Sequence, residues 1–202
     1  MARLIGVFGG TFDPPHIGHL LLAEMGHATF CDEMDKVLWV VAADPPHKPA
    51  WPISPIAARL EMVEAAIADN PHFELSRTDV DRPGPHFSAD MLALLKGQFR
   101  AASFAFLIGA DSLAELPTWH EPARLIEECR YLAVMRRPGV EPDLPSLEAC
   151  LPGLRDKLRF FDAPQVAVSG SEIRKRLRQG LTCRYIVPSA VLEIIIQRGL
   201  YQ

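Results

Sequence analysis

The stretch Gly9 Gly10 Thr11 Phe12 Asp13 Pro14 Pro15 His16 Ile17 Gly18 His19 limits what this chain can become more than any other part of it. The run before it, Leu4 to Phe8, is short, apolar and β-prone, and Leu20 to Met25 after it reads as the opening of a buried helix. Strand, glycine turn and helix in that order bind phosphate. Gly9 and Gly10 let the backbone come close to an anion, and the helix start points its unpaired N–H groups at it. Histidines at i and i+3 on a first helical turn project in roughly the same direction, so His16 and His19 can face one ligand. The stretch fits neither the GxGxxG dinucleotide fingerprint nor the P-loop, which closes on Lys and Ser or Thr.

The 202 residues suffice for one substantial core, and we expect a single domain over 1–202. Hydrophobic residues at 49% and charged residues at 23% exclude a disordered chain. A net charge of -4 argues against a nucleic-acid partner, so positive charge for a phosphorylated substrate must be local. Cys31, Cys129, Cys150 and Cys183 are scattered, without CxxC pairs or Cys/His clusters at metal-ligand spacing, and we expect no metal held by protein side chains. With no leader-like or membrane-length apolar run, a cytoplasmic location and no membrane partner are expected. The oligomeric state is open, a homo-oligomer included.

Further along, Lys36 to Ala43 reads as a fully buried strand, which suits a parallel sheet covered on both faces. The loop after it holds His47 and Lys48, beyond the carboxyl end of a strand, where α/β folds place ligands. Ser54 to Ala68 is a predicted helix capped by Ser54, with Arg59 read as solvated. A third strand is expected at Phe73 to Ser76, and a helix from Ser88, with Ser88 as cap. Ala105 to Ile108 is another buried strand, followed at the ligand edge by Gly109 Ala110 Asp111 Ser112, where a carboxylate serves as a helix cap or accepts ribose hydroxyls. Tyr131 to Met135 is a fifth strand and Arg136 Arg137 after it a solvated basic turn; Ser146 to Cys150 is a short helical patch and Arg159 to Phe161 an edge strand. Ser169 Gly170 Ser171 Glu172 Ile173 Arg174 looks like a capped helix start that doubles as an anion site, and a last helix spans Ser189 to Gln197, ending at Gly199.

The first stretch resembles the HxGH signature of the nucleotidyltransferase superfamily, in the GGTFDPPHxGH form typical of nicotinate mononucleotide adenylyltransferases. PPHK at 45–48, GADS at 109–112 with Trp119 a few residues on, and SGSEIR at 169–174 resemble further family segments in the same order. Two departures stand out: the family run Gly-Pro-Ser-Tyr-Thr is here Gly84 Pro85 His86 Phe87 Ser88, and Gly170 replaces a serine of the second signature. The resemblance implies a doubly wound parallel α/β sheet of the Rossmann-like nucleotidyltransferase kind. It implies transfer of AMP from ATP to nicotinate mononucleotide, with Mg²⁺ delivered by ATP. It places His16, His19 and Arg174 in catalysis, and Gly9, Gly10, Thr11, Phe12, Lys48, Gly109, Asp111, Ser169 and Ser171 around ATP. His47, Phe87, Ser88 and Trp119 fall to the nicotinate nucleotide. Adenylyltransferases acting on nicotinamide mononucleotide or phosphopantetheine, and a non-catalytic nucleotide-binding relative, are the alternatives.

Overall fold

The computed structural model describes residues 3–43 and 53–202. His47 and Lys48 lie outside that range.

Six strands, β1 (Arg3–Gly10), β2 (Met34–Val41), β3 (Phe73–Ser76), β4 (Ala102–Gly109), β5 (Tyr131–Met135) and β6 (Leu158–Phe161), form one sheet in the order β3-β2-β1-β4-β5-β6. All five pairings are parallel. The apolar runs seen in the sequence are strands buried on both faces, because neighbouring residues point to opposite sides of the sheet. Leu4 enters one core and Ile5 the other, and Val37 and Leu38 divide likewise.

Among the described residues, eight α-helices cover those faces. On one side α1 (Ile17–Thr29), α2 (Ile56–Ile67), α7 (Gly170–Arg178) and α8 (Ser189–Gln197) enclose the cluster around Trp39 and Phe161. On the other, α3 (Ser88–Gln98), α4 (Ala110–Glu115), α5 (Pro122–Glu128) and α6 (Leu144–Cys150) enclose Phe104, Phe106 and Leu132. The order is doubly wound: from β1 the chain steps outward through β2 and β3, then returns to the far side of β1 for β4. The reversal between β1 and β4 opens a crevice at their carboxyl ends, where such sheets hold ligands.

Local differences from the sequence reading have physical causes. The cap position of α2 is Pro55 rather than Ser54, whose N–H donates to a carboxylate oxygen of Asp13 at 3.3 Å. Ser88 is the first residue of α3, with Phe87 in the cap position. Arg59, read as solvated, is 2% exposed. Its guanidinium donates to the carbonyls of Ser54 (3.0 Å), Thr11 (3.0 Å), Ala42 (2.6 Å) and Ala43 (2.8 Å), which ties the glycine turn to the end of β2 and the start of α2. Among the described residues no helix is long and apolar enough to cross a membrane.

Candidate active site

The turn after β1 does more than free its amides. Phe12 adopts φ 48°, uncommon for a residue with a side chain. Its ring, 1% exposed, packs edge-on to Phe8 at 5.3 Å and to His19 at 5.1 Å between centroids. A Cβ on Gly10 would stand 2.8 Å from that ring, so glycine is needed there to let Phe12 fold back beneath the turn. Phe12 thereby supports the turn from below.

His16 is in the cap position of α1, and its ring stacks on His19 with centroids 3.7 Å apart. The backbone N–H of His16 donates to Nδ1 of His19 at 3.2 Å. With Nδ1 accepting, the neutral His19 ring carries its proton on Nε2 and is a donor at that atom. His16 is 6% exposed, and burial pulls its pKa down to about 4, so it is neutral near pH 7. Among the described residues its Nδ1 is buried without a hydrogen-bond partner.

Both rings line a cavity of about 680 Å³ at the β1/β4 switch point. Gly9, Gly10, Thr11, Gly109, Asp111 and Ser169 line it as well, as do Phe87, Ser88 and Trp119. This volume is ordinary for a small-molecule site. One end is aromatic: Phe87 and His120 stack at 3.8 Å, and the half-buried Trp119 stands edge-on to Phe106 at 6.2 Å. Under that end Arg82 binds Asp79 at 2.7 Å and donates to the Pro85 carbonyl at 2.7 Å, fixing the 82–87 loop. Burial pushes the Asp79 carboxyl up while the Arg82 guanidinium pulls it down. His86 sits in the same wall, its Nε2 facing the Arg82 carbonyl at 3.2 Å.

Arg174 and Ser171 lie beside this cavity. They line an adjoining depression at the start of α7, with Lys175 and Arg178, and Ser169 belongs to both spaces. Ser169 caps α7 by accepting from the Glu172 N–H at 3.2 Å. The Arg174 guanidinium donates to the Asp13 carbonyl at 2.6 Å, which joins the late helix to the first turn. A Cβ on residue 170 would come within 3.1 Å of that carbonyl and 3.2 Å of Arg174 Nη1, so Gly170 makes room for the junction.

Sequence reasoning missed several members. Arg137, read as solvated, is the sole Lys or Arg lining the large cavity among the described residues, and it is ion-paired with Asp111. Its place one strand over from Gly109, on the same sheet edge, was the available signal. Asp13, within the first motif, receives Ser54, Arg174 and the Tyr201 hydroxyl.

The arrangement, a glycine turn, paired imidazoles and a nearby guanidinium around one crevice, suits a polyphosphate. A family model described as cytidylyltransferase-like matches residues 7–176, which take in both motifs. The chain belongs to the cytidylyltransferase-like family. Within it, a Thermomicrobium roseum protein named "probable nicotinate-nucleotide adenylyltransferase" is 46% identical over all of this chain and 92% of its own length. A Thermus thermophilus protein of the same name is 43% identical over 98% of this chain and 99% of its own. The fold also matches the Plasmodium falciparum nicotinic acid mononucleotide adenylyltransferase complexed with NaAD, with a TM-score of 0.78, 19% identity and coverage of 98% and 97% of the two chains. For a cytidylyltransferase-like chain the crevice found here lies where the sheet order alone puts ligands.

Proposed function

We propose that this chain transfers the adenylyl group of ATP to nicotinate mononucleotide, giving nicotinate adenine dinucleotide and pyrophosphate in NAD biosynthesis. The observation that carries the reading is the joining, in one cavity, of a phosphate-type turn bearing His16 and His19 with the aromatic end formed by Phe87, Trp119 and His120. The full-length relatives named above support the choice of acceptor.

The acceptor phosphate is already an anion, so its oxygen attacks the α-phosphorus without a base. The bond from that phosphorus to the bridging oxygen breaks, and pyrophosphate leaves with the electron pair. Catalysis then consists of alignment and of stabilising charge on the phosphoryl oxygens. His19 Nε2–H donates to the α-phosphate. His16, neutral and short of a partner at Nδ1, serves the triphosphate together with the amides of Gly9 to Thr11. Arg174 and Ser171, in the adjoining depression, hold the leaving pyrophosphate, with Ser169 at the join. Gly109 and Asp111 take the nucleotide sugar. Mg²⁺ enters with ATP as part of the substrate. The roles of Lys48 and His47 rest on the motif resemblance alone.

For the acceptor, Trp119 offers a ring face, and Phe87 and Ser88 bring the first turn of α3 to the cavity. A helix start favours a carboxylate over an amide by charge, so nicotinate is preferred to nicotinamide.

The test measures pyrophosphate release and product mass with ATP or CTP against nicotinate mononucleotide, nicotinamide mononucleotide and phosphopantetheine. The reading predicts turnover with ATP, and kcat/KM for the acid above that for the amide by about tenfold or more. Absence of pyrophosphate with every pair would end it.

A further inference from the structure

Past the end of α8 the chain makes a closed turn. The N–H of Gly199 binds the Ile196 carbonyl at 3.2 Å and that of Leu200 binds the Ile195 carbonyl at 2.9 Å, with Gly199 at φ 60°. This double bond pattern with a left-handed glycine reverses a chain sharply after a helix. Here it carries Tyr201, itself at φ 64°, back toward the first turn, where its hydroxyl donates to Oδ1 of Asp13.

Asp13 is 6% exposed and joins four segments. Its Oδ1 takes Tyr201, its Oδ2 takes the Ser54 N–H, and its backbone carbonyl takes Arg174. Three residues later the chain reaches His16. The segment leading into α8 holds the far side of the same loop, since the N–H of Ile17 donates to the Ile186 carbonyl at 3.0 Å. The loop from Asp13 to Ile17 is thus gripped at both ends by residues 186–201, and α8 is itself tied to α2 by the Arg198–Glu61 ion pair.

We propose that Tyr201 is a positioning residue for this reaction, setting the His16/His19 turn and Arg174 through its hydrogen bond to Asp13. This rests on the functional reading above. Without the hydroxyl, one oxygen of a buried carboxylate loses its donor, and a buried carboxylate short of donors moves toward water or toward new partners. The Asp13 peptide moves with it, and so do the carbonyl that orients Arg174 and the backbone that enters His16. The contact is stable over the working range, because burial and the neighbouring Asp13 both hold the phenol protonated.

The experiment compares Tyr201→Phe, Asp13→Asn and the double variant with wild type, in ATP plus nicotinate mononucleotide turnover and in thermal melting. Tyr201→Phe keeps the ring that packs on the core. Its kcat should fall on the order of tenfold or more, as expected for a misplaced reacting group, while KM for each substrate stays within about twofold. Because both changes break the same contact, the double variant should turn over within about twofold of Asp13→Asn alone. A purely structural role would instead lower the melting temperature and leave the kcat of the folded protein at the wild-type value. Wild-type kcat in Tyr201→Phe, or losses that multiply in the double variant, overturns the proposal. Inactive wild type would mean that the functional reading failed instead, so the two failures are distinct.

Discussion

His16 and His19 are stacked, 3.7 Å between centroids and 22° between planes, and linked from the His16 N–H to His19 Nδ1. That one hydrogen bond fixes the tautomer of His19 and orients its ring relative to the start of α1. The histidine spacing of the motif is therefore a structural requirement: at i and i+3, His16 occupies the cap position of α1 and its backbone N–H holds the His19 ring.

Removing the His19 donor should lower kcat by on the order of 100-fold, as for the loss of a donor to a developing oxyanion. The check is steady-state turnover of His19→Ala with both substrates saturating. Turnover within about threefold of wild type would take His19 out of the reaction centre.

Acid should destabilise the protein through His16. Its pKa is about 4 when folded against 6.5 when exposed, so between those values the unfolded chain binds the extra proton. Stability is thus undiminished above pH 6.5 and falls as pH drops toward 4, by roughly 3 kcal/mol in all. Urea unfolding of wild type and His16→Asn from pH 7.5 to 4.5 should show the steeper loss in wild type. Parallel curves would contradict a neutral, buried His16.

Arg59 is predicted to be among the costliest residues to replace outside the cavity. Arg59→Met leaves the carbonyls of Thr11, Ala42, Ala43 and Ser54 without this donor, and should cost about 3–5 kcal/mol in chemical denaturation. A loss below about 1 kcal/mol would mean that the turn and the β2 end hold together without it.

Trp119→Ala should separate the two substrates. Loss of its ring face is expected to raise KM for the acceptor by about tenfold and to leave KM for ATP within about twofold. Equal increases for both would place Trp119 elsewhere than at the acceptor.

The central strands were readable because each is an apolar run, and the two late helices because Ser169 marks the start of α7 and Gly199 the stop of α8. Arg59 was misread because an arginine in a helix is usually solvated, although Met62 and Val63 lie three and four residues on, along the same buried face. Arg137 and the Asp13 junction depend on strands and helices distant in sequence meeting at one edge, which no local pattern encodes. Phe12 shows the converse: inside a recognised motif, its ring is a buried support beneath the turn, and the cavity is lined by its neighbours Gly9, Gly10 and Thr11.

The account is tested most directly by a crystal structure of this protein with nicotinate adenine dinucleotide bound. It predicts the pyrophosphate bridge within hydrogen-bond reach of His19 Nε2 and the Gly9 to Thr11 amides, with the nicotinate ring against Trp119 and its carboxylate at the start of α3. A dinucleotide bound away from the β1/β4 crevice, with the histidine pair touching none of its phosphates, would contradict it.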